Sequence, residues 1–128
     1  MKKLLILLFS LFFLSSPSVF AENFIYHCNF ETYFKNSASE PWDNKYIKYT
    51  FTSNNNKTIS IYDHELDLTY QESLTIYSQN PQLIALYQGP NFFETLVIDK
   101  ENSFGTYATS FTDDTISGQY GIGKCYLQ

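Results

Sequence analysis

The chain has 128 residues, thirteen acidic side chains against eight lysines, no arginine and a formal charge of −5. Phosphate backbones are gripped by clustered Lys and Arg, so this composition excludes a nucleic-acid partner and disfavours an anionic membrane surface. The high Asn, Lys, Ile, Phe and Tyr content without arginine also suits an AT-rich genome, which tempers any argument from tyrosine numbers alone.

The first segment, "MKKLLILLFSLFFLSSPSVFAEN", has two lysines, an apolar run from Leu4 to Leu14 and small residues Val19 and Ala21 ahead of Glu22. This is the pattern of a secretory leader cut before Glu22. The run is about half of the ~20 apolar residues that a spanning helix needs, so no membrane anchor is expected. The predicted organisation is a cleaved signal peptide, 1–21, and a single β domain, 22–128, periplasmic or secreted. Without Lys2 and Lys3 that domain has six lysines against thirteen acids, a charge of −7.

From residue 23 onward period-two alternation dominates. "NFIYHCNFE" puts Phe24, Tyr26, Cys28 and Phe30 on one face and His27, Asn29 and Glu31 on the other. "KNSASEPWDNK", 35–45, reads as a loop carrying Trp42. "YIKYTFTS" and "KTISIYD" read as a hairpin, with Ile47, Tyr49, Phe51, Ile59 and Ile61 inward and asparagines at its tip that tolerate left-handed angles. "DHELDLTYQES", 63–73, fits both periods; a strand is expected over a helix because of the β context around it. "LTIYS", "LIALYQ", "FFETLVID", "FGTYATSF" and "QYGIGKCYL" follow as strands between turns, and "LIALYQ" is apolar enough on both faces to be covered on both sides. "TDDTISG" reads as a polar loop.

About eight short strands with turn signals between them predict an all-β fold, either a small closed or nearly closed antiparallel barrel or a β-sandwich. The chain has two cysteines, one near each end of the domain. In an oxidising compartment an even count favours pairing of Cys28 with Cys125; a free redox thiol or two intermolecular bonds are the alternatives. The pairing would close a loop of about 100 residues, worth ~4.7 kcal/mol in the chain-entropy model. It also requires the first and last strands to be close, which is what barrel closure supplies and why the barrel is preferred.

Chemistry is sparse. His64 lies between Asp63 and Glu65 with Asp67 beyond, but strand alternation separates His64 from the carboxylates, so "DHELD" reads as a solvated acidic turn and no metal is expected. No nucleophile elbow is present, and the cysteines are assigned to the staple; no enzyme activity, no catalytic residue and no cofactor is expected. Aromatic residues are the more suggestive signal. Tyr46 and Tyr62 sit opposite the inward residues of their strands, and with Trp42 they are the candidate ligand- or partner-binding residues, either lining a barrel interior or forming an outer patch.

"YHC" at Tyr26–Cys28 and "GKC" at Gly123–Cys125 make the chain resemble small exported bacterial β-proteins, including the inhibitors of C-type lysozyme, in which a Y-x-C opens the first strand of an eight-stranded barrel and a late cysteine closes it. Two functions are expected, with an enzyme a distant third. One is a non-enzymatic binding module for a small apolar or sugar-like ligand or an envelope protein. The alternative is a hydrolase inhibitor presenting "SASEPWDNK", 37–45, as a protruding loop.

Overall fold

The computed structural model describes residues 23–35, 37, 39–111 and 118–128. The expected leader, its cut before Glu22 and most of the polar loop "TDDTISG" lie outside the described residues.

Every regular element described is a strand: β1 (Ile25–Lys35), β2 (Asp43–Asn54), β3 (Thr58–Asp63), β4 (Leu68–Thr69), β5 (Leu74–Ser78), β6 (Gln82–Gln88), β7 (Phe92–Asp99), β8 (Phe104–Phe111) and β9 (Gly118–Leu127). All pairings are antiparallel. They run β2-β1-β9-β8-β7-β6-β5-β3-β4, and a β2–β3 pairing returns the sheet upon itself. Eight strands thus form a closed barrel, with β4 as a two-residue addition against the end of β3. A sandwich is excluded. Closure leaves the eight strands without the open edge that makes a sheet prone to pair with other chains.

Alternation along each strand sorts the side chains. Phe30, Tyr49, Phe51, Ile59, Ile61, Leu74, Leu83, Leu96, Ile98 and Tyr107 are buried inside. Eight strands enclose a space that side chains just fill. Tyr107 stands 5.2 Å from Tyr49 and 5.6 Å from Phe51, ring centre to ring centre, and Phe30 is 6.0 Å from Tyr49. The middle of the barrel is a packed core.

Cys28 faces Cys125 directly in the β1–β9 register, and the two form a disulfide. The neighbouring inward position on β9 is Gly123, opposite Phe30. A Cβ there would lie 2.1 Å from the Asn29 carbonyl oxygen, so only glycine lets β1 and β9 approach this closely. At the β2–β3 tip Asn55 and Asn56 take φ of 52° and 58°, the left-handed angles that asparagine tolerates best after glycine.

Three expectations are corrected. Residues 63–73 are neither a full strand nor a helix: 64–67 form a turn, Leu68–Thr69 pair briefly with β3, and Leu66 and Leu68 are exposed. The stretch 35–45 is a shorter loop than expected. Phe34 pairs with Asp43, so Lys35 belongs to β1 and 43–45 to β2, leaving 36–42 to connect them. β6 is covered on one face only; Leu83 and Ala85 are buried, while Ile84 and Leu86 are half-exposed on the outer wall.

Candidate functional site

At the end of the barrel beneath residues 39–42, 64–73 and 89–91, the inward stripes change character. On β3 the inward series Ile59, Ile61 ends in Asp63; on β7 the series Ile98, Leu96 ends in Glu94. Asp63 and Glu94 are both buried. Burying a carboxyl is costly unless hydrogen bonds replace water. Asp63 accepts three: from the backbone N–H groups of Glu65 and Leu66 at 2.9 and 3.1 Å, and from the Tyr70 hydroxyl at 2.6 Å. Glu94 accepts one from the Tyr107 hydroxyl at 2.5 Å. Gln119, inward on β9, donates its Nε2–H to the Tyr49 hydroxyl at 2.7 Å. Tyrosines from β2 and β8 thus stand with their rings in the core and their hydroxyls in this polar layer.

The environment moves proton affinities. Burial, with Glu72 beside it, pushes Glu94 from its ordinary 4.5 up to about 8, and the Tyr107 hydrogen bond offsets only part of this. Burial, with nearby Asp63, pushes Tyr49 up to about 12. Burial and the Asp63 hydrogen bond also raise Tyr70. At neutral pH the layer therefore offers the protonated Glu94 carboxyl and the Tyr49 hydroxyl as donors, beside carboxyl and amide oxygens as acceptors.

Two adjoining cavities open above this layer. One, about 410 Å³, is bounded by Phe34, Lys35, Ile47, Tyr49 and Asp63 among others. The second, about 230 Å³, is bounded by Glu72, Phe92, Glu94, Tyr107 and Thr109. Tyr70, Phe111 and Gln119 line both, so they are two lobes of one mouth. Aromatic walls over a few convergent polar groups are the usual make-up of a small-molecule site. A depression of about 600 Å³ at the opposite end, lined by Phe24, Tyr26 and Leu127 among others, is larger but gathers no buried charge.

The residues singled out in the sequence are not gathered here. Trp42 is exposed near the rim, with Lys35 Nζ 6.0 Å from its ring centre. Tyr46, 70 % exposed, lies on the outer wall beside Phe104 and Tyr126. Tyr62 is also outward, its hydroxyl donating to Asp67. Neither Tyr46 nor Tyr62 faces the barrel interior. The acidic turn is only partly solvated: Asp63 points inward, and Glu65 pairs with Lys45 at 2.7 Å on the surface. Cys28 and Cys125 are brought together as expected. Glu94 was missed in the sequence although the signal exists, since it shares the parity of Leu96 and Ile98. Compared with protein-family models, curated proteins and solved structures, the chain matches none.

Proposed function

We propose that this protein is an exported, non-enzymatic binding module that takes a small sugar-like ligand in the mouth of its barrel. One observation carries the reading: buried polar groups on four strands converge under a cavity walled by Phe34, Phe92, Phe111 and Tyr70. Ring faces pack against the apolar faces of a sugar, while Asp63, Glu94 and Gln119 exchange hydrogen bonds with its hydroxyls. A packed core below the mouth keeps these groups from collapsing inward, so the site is held ready for its ligand. The leader-like segment and the disulfide support export, since disulfides persist in oxidising compartments.

The test is a panel of mono- and oligosaccharides screened by thermal shift, with hits measured by calorimetry. A ligand at 100 times its Kd raises stability by ~2.7 kcal/mol, a readily detected shift. Binding that is weakened by Glu94→Ala and by Phe111→Ala supports the reading. Absence of any hit, or hits indifferent to both changes, overturns it. Inhibition of a C-type lysozyme without saccharide binding, lost on Trp42→Ala, favours the inhibitor function instead.

A further inference from the structure

The chain has two histidines, and the fold brings their rings to one oxygen atom on the outer wall. His27 on β1 is in register with Thr50 on β2, and Thr50 with Tyr62 on β3. His64 follows the end of β3, its backbone N–H donating to the Lys48 carbonyl at 3.0 Å, which holds the turn against β2. The Thr50 hydroxyl oxygen lies 3.0 Å from His27 Nδ1 and 2.7 Å from His64 Nε2.

His27 is oriented from behind, and His64 is packed against Tyr62. His27 Nε2 is 2.5 Å from Gln128 Oε1. A carbonyl oxygen only accepts, so Nε2 carries the ring proton and Nδ1 accepts the single Thr50 hydroxyl proton. The Thr50 oxygen in turn accepts from His64 Nε2–H, a proton that moves to His64 Nδ1 when Nε2 takes a metal. A second ring nitrogen bonded to a carbonyl acceptor is the arrangement that fixes tautomer and direction in metal-binding histidines. The His64 ring stands edge-on to Tyr62, centres 4.7 Å apart and planes at 86°.

We propose that His27 Nδ1 and His64 Nε2 form a two-imidazole site for a divalent transition-metal ion, of the Zn²⁺, Ni²⁺ or Cu²⁺ class. Imidazole suits these ions, whereas Mg²⁺ and Ca²⁺ want oxygen donors. Zinc-to-nitrogen bonds of ~2.0–2.1 Å in tetrahedral geometry put two ligating nitrogens ~3.3 Å apart. Two nitrogens within 3.0 Å of one oxygen reach that separation by turning exposed rings, with no movement of the barrel. The Thr50 hydroxyl is then placed to hydrogen-bond water on the ion, and Gln128 keeps His27 aimed. Among the described residues no three of His, Cys, Asp and Glu converge, so the chain fills two coordination positions and water the others. The two rings lie on the outer wall, apart from the residues that line the mouth.

The experiment titrates the full chain at neutral pH with Zn²⁺ alone, followed by calorimetry, and with Cu²⁺ alone, followed by electron paramagnetic resonance. One ion per chain and hyperfine coupling to two nitrogens are expected. His27→Gln and His64→Gln each bind as weakly as the double variant, and Gln128→Ala weakens binding about tenfold, the low end for an outer-shell partner. No saturable binding by the unaltered chain, binding that survives in the double variant, or loss on removal of only one histidine overturns the proposal. If a variant loses its β-sheet circular dichroism, the unaltered chain decides by NMR. Zn²⁺ must shift both imidazoles at the same molar ratio, and a shift of one alone overturns the site.

Discussion

Glu94 and Asp63 show how differently two buried carboxyls can be treated. Asp63 has two backbone donors and a tyrosine; Glu94 has the Tyr107 hydroxyl and a neighbouring Glu72. Its proton affinity rises from an ordinary 4.5 to about 8 because burial penalises the charged form. The folded protein therefore holds a proton on Glu94 that the unfolded chain has released. Stability then falls as pH rises through the interval from about 4.5 to about 8, with a slope of at most ~1.4 kcal/mol per pH unit, and is flat in this contribution on either side. Glu94→Gln keeps the shape and a neutral side chain. It is expected to remove this slope and to be more stable than the parent above pH ~8. Urea titrations of both proteins at several pH values check it; parallel pH profiles would contradict the assignment.

Among the elements, two seams of the barrel are very unequal. β1 and β9 pair from Tyr26↔Leu127 to Lys35↔Gly118, whereas β3 and β5 pair only at Thr58↔Thr75 and Ile59↔Leu74. The isolated bonds Ile76 N–H to Lys57 and Tyr70 N–H to Ile61, both 2.9 Å, reinforce that gap. Local openings occur where ladder bonds are few. The amides of Tyr70 and Ile76 are expected to exchange hydrogen at least about tenfold faster than those in the middle of β1 and β9. NMR-detected exchange measures this, and equal protection would show the short seam to be as firm as the long one.

The same elements show what the sequence can and cannot carry. The β2–β3 hairpin was legible because apolar alternation, a polar tip and the left-handed tolerance of asparagine agree with one another. Residues 63–73 were not. Leu66, Leu68 and Tyr70 alternate, yet Leu66 and Leu68 face solvent, and Tyr70 turns in because Asp63 needs its hydroxyl. The polar layer was half legible, in the parity of Asp63 with Ile61 and of Glu94 with Leu96. Its assembly needed strand registers. The meeting of His27, Thr50 and His64 depends on three neighbouring strands at once, and no spacing along the chain encodes it. Strand alternation sets Tyr46 and Tyr62 opposite the inward residues, and of the two places this allows, barrel interior or outer patch, the structure has them on the outer wall.

For the whole molecule, the disulfide stands at the long seam, where noncovalent pairing is already extensive. Its contribution is to restrict the unfolded chain more than to hold β1 against β9. The double variant Cys28→Ser, Cys125→Ser is expected to keep the barrel and lose ~2–5 kcal/mol, read as a lower denaturant midpoint. Unchanged stability would mean that the unfolded chain is already compact.

The bond also changes what the chain is as a physical object. Cys28 and Cys125 are 97 residues apart in sequence, yet the covalent route between them is a single sulfur bridge, so most of the polypeptide is a ring. A tensile load applied at residues 23 and 128 travels across that bridge and bypasses the intervening strands. A peptide cut in the connection 100–103 yields two pieces that remain one molecule.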